Sequence, residues 1–323
     1  MSVLLNLLHS VVDYAGLFPP ASLPMNQVVE NYAKYLKSNE NAMLGRLIIP
    51  ASKLDEFDTA AVHLLPTGDD ISPWRISALI PPIEQNGDAF DSANLAAALK
   101  KIQTFNDSHR VGESHSVIVD AIEVKANSAE LISQTIEALP AGLDSFLEIA
   151  WLTDPTECIA AIQRQPAGKH IFAKIRTGGV TEELIPPCQS IARFITAAAQ
   201  AGVGFKATAG LHHPVRSLQP LTYETDAPQA TMHGYLNVFV ATMFAFEHRV
   251  DQETLYSILS NEDPQRFEFD DNGLKWESLV VSSDRISEIR TSGIISFGSC
   301  SFAEPTSELQ GLPNVTRKTV FSS

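Results

Sequence analysis

The sequence predicts an α/β protein, a closed (β/α)8 TIM barrel, from three observations. Short apolar or β-branched runs occur eight times along the chain. Longer stretches between these runs have apolar residues three and four positions apart, the spacing of amphipathic helices. Neither a GxGxxG motif nor a P-loop is present, so the nucleotide-binding open sheets lose their main support.

The strand-like runs and the helices alternate, which predicts a parallel sheet. The runs are VVDYAGLF at 11–18, MLGRLIIP at 43–50, RISALIP at 75–81, SVIVDAIEV at 116–124, DSFLEIAW at 144–151, HIFAKIRT at 170–177, VGFKATAG at 203–210 and GIISFGSC at 293–300. Helices are predicted over 25–38, 91–107, 127–139, 156–165 and 188–201. Gly202 is expected to end the last of these helices.

One segment departs from this alternation. Residues 211–293 are too long for a loop between strands seven and eight, so we interpret them as an insertion within a single domain of residues 1–323. The segment contains the helical run ATMHGYLNVFVATMFAFEHRV, a second helix that begins near Asp251, and a hairpin with a turn at Asn272-Gly273. The first helix either packs on the barrel or forms a contact between subunits of a homo-oligomer.

The composition narrows the class of partner. The formal net charge is −15, from 38 acidic and 23 basic residues, and the chain has no run of basic residues. Nucleic acids and anionic membranes bind clustered Lys and Arg, so the expected partner is a small molecule. Three scattered cysteines do not suggest a disulfide framework. The apolar runs are no longer than about ten residues, too short to span a membrane, and no secretory signal is predicted. We therefore expect a cytoplasmic protein.

Two lysines are the best candidates for catalytic residues. Lys174 and Lys206 each lie inside a strongly apolar run, in FAKIRTGG and GFKATAG. A buried ammonium needs a partner or a function, because its desolvation is costly. Burial, or a second cation nearby, would lower the pKa of such a lysine and free its amine to attack a carbonyl. The structural alternative is that each lysine pairs with Asp120 or Glu148, or extends to the barrel rim.

The period of two in a strand extends the candidate site. Arg176 shares a face with Lys174, and Thr208 shares a face with Lys206. A planar guanidinium in the barrel mouth suits a carboxylate or phosphate on a substrate. The alternative for Arg176 is an ion pair at the rim with Glu182 or Glu183.

Several motifs resemble those of deoxyribose-phosphate aldolase, a class I aldolase family. VGFKATAGLHHPVR is similar to the seventh strand of that family, and IFAKIRTGG is similar to the sixth strand, whose lysine forms the Schiff base. SVVDYAGLFPPASLPMNQVV, SVIVDAIEV and SFGSCSFAE resemble the first, fourth and last strands. The resemblance implies a (β/α)8 fold and Schiff-base chemistry on a small carbonyl compound, without a metal or organic cofactor.

The resemblance also implies roles for individual residues. Lys174 would form the Schiff base, Lys206 would perturb its pKa, and Asp120 would relay protons through a water. Position at the carboxyl end of a predicted strand, or in the loop that follows, adds the predicted substrate-binding residues Asp13, Arg176, Thr208, His212 and His213, and the resemblance adds Gly298 and Ser299. Gly298 and Ser299 would form an anion site. Ile175 and Arg176 replace small hydroxyl residues of the family's motif, so we expect a substrate other than deoxyribose 5-phosphate.

Two other classes of function stay open. A metal-dependent lyase or hydrolase could use His212, His213 and His233, although no HxH or HExxH spacing supports it. The other alternative is a barrel that has lost catalysis and serves as a binding scaffold. Cys300, between two serines near the barrel top, is either a nucleophile beside a helix that begins near Glu304 or a small packing residue.

Overall fold

Eight parallel strands close into a barrel in the computed structural model, which describes residues 2–67, 72–85, 89–111, 114–270 and 272–312. The strands are β1 (Val12–Tyr14), β2 (Leu44–Pro50), β3 (Trp74–Leu79), β4 (Val117–Lys125), β5 (Asp144–Ile149), β6 (His170–Arg176), β7 (Phe205–Thr208) and β8 (Ile294–Ser299). Each strand pairs in parallel with the next one along the chain, and β8 pairs with β1. The predicted (β/α)8 barrel is confirmed, and each predicted run overlaps one strand.

A helix follows every barrel strand. The helices are α1 (Val3–Leu8), α2 (Met25–Tyr35), α3 (Leu54–Ala61), α4 (Ser92–Ser108), α5 (Ala129–Ala138), α6 (Thr156–Gln163), α7 (Cys188–Ala201), α8 (Tyr235–His248), α9 (Gln252–Leu259), α10 (Ser283–Ser292) and α11 (Ala303–Gln310). The side chains of Asp91, Ser128 and Asp251 accept hydrogen bonds from backbone N–H groups in the first turns of α4, α5 and α9. Gly202 ends α7 in the left-handed conformation, as predicted.

The segment 211–293 contains one of the helices that surround the barrel, and it also contains strands outside the barrel. Helix α8 is buried from Tyr235 to Ala245 and packs on α7 and α9, and the Tyr235 ring stacks on Phe297 of β8 with centroids 5.1 Å apart. This helix therefore packs on the barrel and is the outer helix that follows β7. The added parts are a hairpin, Ser217–Pro220 with Gln229–Met232, and a three-stranded sheet that spans 268–281. The predicted hairpin is present in that sheet, but Gly273 of the predicted Asn272-Gly273 turn already belongs to the second strand, where it pairs with Asp270; Asp271 lies outside the described residues.

The main core is an apolar cluster that extends from the barrel to the helix ring, and a small separate cluster is formed by Leu221, Ala230 and Met232. The three cysteines are buried and free. In the part of the chain that the structure describes, no helix combines the length and the apolar character needed to cross a membrane.

Candidate active site

A cavity of about 650 Å³ lies at the carboxyl ends of the barrel strands. Its wall includes Arg176 at the end of β6, Thr208 at the end of β7 and Gly298 near the end of β8. The hairpin of residues 217–232 contributes the segment 219–223 and Met232 to the same wall. Ligand sites of barrel enzymes lie at this end of the fold, so the cavity is the candidate active site.

Lys174 lies at the cavity between two carboxylates. In the sheet register it pairs with Glu148 on one side and with Lys206 on the other, as the predicted adjacency of the two lysines requires. Its Nζ is 2.7 Å from Oε2 of Glu123 and 2.7 Å from Oε2 of Glu148. The Lys174 side chain is 4% exposed, yet it is part of the cavity lining. A ligand in the cavity can therefore reach this amine.

The charges around Lys174 raise its pKa. Burial lowers the pKa, but the two carboxylates, Glu123 and Glu148, outweigh burial through their charge and hydrogen bonds. The predicted lowering of the Lys174 pKa by burial and by Lys206 is therefore wrong for this arrangement. The physical reason is that Glu123 lies between the two ammonium groups. The two lysines in turn hold the pKa of Glu123 well below its usual range, although burial alone would raise it.

Lys206 is fully enclosed and does not contribute to the described cavity lining. Its Nζ is 2.5 Å from Oδ2 of Asp13 and 2.7 Å from Oε1 of Glu123. It also lies 5.4 Å from the centre of the Phe146 ring. Because Lys206 holds one oxygen of Glu123 and Lys174 holds the other, Lys206 fixes the carboxylate that neighbours the reactive amine. We call Asp13, Glu123, Glu148, Lys174 and Lys206 the carboxyl-end cluster.

Asp13 is a structural support in this arrangement, not a cavity residue. It is 1% exposed and accepts hydrogen bonds from the Ser296 hydroxyl and from the backbone N–H of Arg46, each at 2.7 Å. The predicted substrate-binding role of Asp13 is therefore corrected, because the side chain is buried beneath Lys206. Gly45 permits this packing, since a Cβ there would lie 2.3 Å from Oδ1 of Asp13.

Asp120 lies away from the two lysines. Its carboxylate binds the guanidinium of Arg46 at 2.6 Å and that of Arg75 at 2.6 Å, and Arg46 also binds Asp144, the first residue of β5. We call Arg46, Arg75, Asp120 and Asp144 the amino-end cluster. The predicted proton relay by Asp120 is corrected on this geometry, because its partners are arginines at the opposite end of the barrel. The carboxylates beside Lys174 are Glu123 and Glu148.

The register of β3 and β4 explains why Asp120 lies away from the lysines. The pairing of β3 with β4 shifts between Ile76 and Ser77, whose partners are Val119 and Ala121. Asp120 is thus the extra residue of a bulge. Glu123, three residues later, reaches the barrel interior, where it also accepts a hydrogen bond from Ser77 at 2.9 Å. The signal in the sequence was its position nearer the carboxyl end of the strand, where barrel active sites lie.

The other predicted substrate-binding residues divide into two groups. Arg176, Thr208 and Gly298 line the cavity, and Arg176 is exposed. No ion pair joins Arg176 to Glu182 or Glu183 within the described residues. Ser299 is 2% exposed and contacts the His212 ring at 3.4 Å, so the structure places it behind the cavity wall.

The loops after β6 and β7 are locked together. The Thr177 hydroxyl donates to the Ala209 carbonyl at 2.6 Å, and its N–H donates to the Thr208 carbonyl at 2.8 Å. A Cβ on Gly178 or on Gly210 would lie 2.8 Å from the Cα of the other glycine. This close approach explains why both lysine motifs end in glycine-containing turns.

His212 belongs to a polar group at another part of the cavity wall. Its Nδ1 is 3.0 Å from Oε2 of Glu304, and the Sγ atom of Cys300 lies 3.9 Å from its Nε2. Burial lowers the pKa of His212, but the hydrogen bonds and charges of Cys300 and Glu304 raise it to about 9. The Tyr223 hydroxyl, from the hairpin, lies 3.6 Å from the Cys300 sulfur. Sequence reasoning did not assign Tyr223 or Glu304 to the site.

The three histidines of the metal-site alternative do not form one centre. His213 lines the cavity and contacts Glu308 at 2.8 Å, whereas His233 is buried and its Nε2 donates to the Pro186 carbonyl at 2.7 Å. Burial lowers the pKa of His233 to about 4. Over the described ranges, no three His, Cys, Asp or Glu side chains are grouped in a way that could hold a metal ion.

The class that fold and site define is a (β/α)8 barrel with a lysine and carboxylates at its carboxyl-end cavity, an arrangement typical of enzymes. Comparisons of the chain with family models, with curated proteins and with solved structures find no match. Function is therefore inferred from the geometry of the site, and the aldolase resemblance stays a prediction.

Proposed function

We propose that this protein is a class I aldolase-type carbon–carbon lyase, in which Lys174 forms a Schiff base with a small carbonyl compound that carries an anionic group. The observation that supports it best is the position of the Lys174 amine, which borders the cavity with a carboxylate 2.7 Å away on each side. Amine attack and loss of water both need proton transfer, and adjacent carboxylates can accept and return protons.

The raised pKa of Lys174 is compatible with this chemistry. The ammonium must pass a proton to a carboxylate before it attacks, and this step costs free energy. Once water is lost, the protonated Schiff base again carries one positive charge at the same nitrogen. Glu123 and Glu148 then stabilise the iminium as they stabilise the ammonium. A cationic iminium is the electron sink that carbon–carbon cleavage needs, so the same charges favour the reactive intermediate.

The two carboxylates are suited to different tasks. Glu123 is 1% exposed and is held by Lys206, Lys174 and Ser77, so it serves as a fixed charge. Both residues belong to the cavity lining, but the Glu148 side chain is 14% exposed, so it is the one with better access to exchange protons with a ligand or with solvent. We therefore assign proton transfer to Glu148, in place of Asp120.

The cavity wall favours an anionic substrate end. Arg176 and Lys125 both line the cavity and are exposed. Their positive charges oppose the overall charge of −15, which by itself would repel an anion. A guanidinium binds carboxylate or phosphate through two parallel hydrogen bonds, so small keto acids and phosphorylated aldehydes are the first compounds to test.

The test is borohydride trapping with a panel of small aldehydes and keto acids, followed by peptide mass spectrometry. We expect a reduced adduct on the peptide that contains Lys174 and its loss in Lys174→Met. Lys101→Met is the control, because Lys101 lies outside the described cavity lining, where it binds Asp55, and the adduct should persist in that variant. An adduct on Lys206 would reverse the two assigned roles. The absence of any adduct in folded protein would contradict the Schiff-base proposal.

The raised pKa of Lys174 also favours a second candidate, a barrel that binds an anionic ligand without reacting. In that case Lys174 stays an ammonium, and its charge contributes only to binding. Keto acids would then raise the melting temperature without giving a borohydride adduct. The same panel, measured by both methods, separates the two functions.

A further inference from the structure

A second cluster of reactive groups borders the same cavity and consists of residues outside the carboxyl-end cluster. Cys300 directly follows β8, His212 lies in the loop after β7, and Glu304 lies in the first turn of α11. All three line the cavity, together with Tyr223 from the tip of the hairpin. Four separate elements therefore contribute one side chain each to this cluster.

The Cys300 sulfur lies at the centre of this cluster, in contact with His212 and Tyr223. Cys300 Sγ is 3.9 Å from Nε2 and 4.0 Å from Nδ1 of His212, and the Tyr223 hydroxyl is 3.6 Å from the sulfur on another side. Oε2 of Glu304 lies 3.0 Å from Nδ1 of His212 and so orients the ring. A thiol, an imidazole and a carboxylate in this order are the parts of an activated nucleophile.

We propose that Cys300 is a second nucleophile of this cavity, with His212 as its proton-transfer partner and Glu304 as a positioning residue, and that it takes the carbonyl carbon of an aldehyde. The sulfur bonds to the carbon, and the π electrons of the C=O bond move to the oxygen. That oxygen takes the proton that His212 received from the thiol. The product is a hemithioacetal, and no further reactant is needed.

The surroundings of His212 support this assignment. With a pKa of about 9, His212 is an imidazolium at neutral pH, so a positive charge lies 3.9 Å from the Cys300 sulfur. Burial raises the pKa of Glu304, but the hydrogen bond and charge of His212 outweigh it and hold it low. Burial and the neighbouring sulfur raise the pKa of Tyr223, so its hydroxyl stays protonated and can donate to the sulfur.

The chain supplies its own controls for this proposal. Cys158 in α6 and Cys188 in α7 are also buried, but neither belongs to the described cavity lining. Burial raises the pKa of both thiols. Packing alone would make Cys300 as unreactive as these two residues.

The experiment is competitive alkylation of the folded protein with 2-chloroacetamide at neutral pH, with the modified peptides quantified by mass spectrometry. We expect Cys300 to react at least about 10-fold faster than Cys158 and Cys188, since an activated thiolate is the reacting species. His212→Gln should slow the Cys300 reaction by about 10-fold or more, provided that circular dichroism shows a folded variant. Tyr223→Phe should slow it less.

A second arm tests the aldehyde and does not depend on the Schiff-base proposal. In Lys174→Met, in which no imine can form at that position, propanal should protect Cys300 from alkylation, and dilution should reverse the protection. Equal alkylation rates for the three cysteines in the unsubstituted protein would overturn the proposal, and so would an unchanged rate in folded His212→Gln. Loss of borohydride trapping at Lys174 with fast, propanal-sensitive alkylation of Cys300 would reject the lyase function alone.

Discussion

The two ends of the barrel hold similar charge clusters that differ in chemistry. In the amino-end cluster Arg46 lies between two carboxylates, and in the carboxyl-end cluster Lys174 lies between two carboxylates. A guanidinium keeps its proton at any accessible pH, whereas an ammonium can release one. The carboxyl-end cluster also borders the cavity. Charge pattern alone therefore does not mark an active site; a titratable group with access to a cavity does.

The largest effect is expected at Lys206, the most enclosed member of the carboxyl-end cluster. Lys206→Met leaves Asp13 and Glu123 buried without their shared cation, so the free energy of unfolding should fall by about 3–5 kcal/mol. Urea unfolding measures this change. The matched variant in the amino-end cluster is Arg75→Met, which should cost less than about 1 kcal/mol because the Arg75 side chain is 49% exposed. Equal losses in the two variants would contradict the difference in burial.

Two buried histidines should give opposite pH dependence. The folded-state pKa of His212 is raised to about 9, so its contribution to stability is complete below about pH 6.5 and is lost as the pH rises through 9, up to about 3 kcal/mol. The pKa of His233 is lowered to about 4 in the folded state. As the pH falls from about 6.5 towards 4, the unfolded state takes up a proton while the folded state stays neutral, so the fold loses stability.

Unfolding free energies of His212→Gln and His233→Gln, each compared with the unsubstituted protein across pH 4 to 9, measure these effects. The difference for His212 should change between pH 6.5 and 9, and the difference for His233 should change between pH 4 and 6.5. Parallel pH profiles for the two variants would show that the two ring environments are not distinct.

A smaller effect is expected at Gly45, which precedes Arg46 of the amino-end cluster and contacts Asp13 of the carboxyl-end cluster. Gly45→Ala places a Cβ 2.3 Å from Oδ1 of Asp13, so either the strand or the carboxylate must shift, at a cost of about 1–3 kcal/mol. Gly298→Ala is the control, because its nearest contact, the Thr208 hydroxyl at 3.1 Å, is less severe. Thermal unfolding of both variants gives the comparison, and a greater loss for Gly298→Ala would be inconsistent with it.

The smallest change in stability is expected at the cavity rim. Arg176 is exposed, so Arg176→Gln should leave the free energy of unfolding within about 0.5 kcal/mol of the original value. Removal of the guanidinium should nevertheless weaken binding of small keto acids by about 10-fold, since a charge-assisted hydrogen bond is lost. Isothermal titration measures this change. Unaltered affinity would exclude Arg176 from the anion site.

The fold was more predictable than the site. Each barrel strand is a short apolar run bounded by helical periodicity, so local pattern alone identified all eight strands. The sequence analysis did not identify α8 as the outer helix that follows β7, because the hairpin before it and the sheet after it enlarge the β7–β8 connection. The pairing of Lys174 with Lys206 followed from two runs in adjacent strands.

The electrostatics of the site depended on information that local pattern does not contain. The resemblance assigned the proton relay to Asp120, and the bulge in β4 that separates the positions of Asp120 and Glu123 leaves no signature in the alternation of that strand. The direction of the Lys174 pKa shift depends on whether carboxylates lie within hydrogen-bond distance of Nζ. That distance is set by the closure of the barrel, which brings β4, β5 and β6 together.

The central claim is that the carboxyl-end cluster is the reactive one, with Glu148 as the residue that transfers protons to and from Lys174. The most direct test is the rate of borohydride-trapped adduct formation at Lys174 in Glu148→Gln and in Asp120→Asn. We predict a decrease of about 10-fold or more in Glu148→Gln and an unchanged rate in folded Asp120→Asn. An unchanged rate in Glu148→Gln together with loss of the adduct in Asp120→Asn would contradict the account.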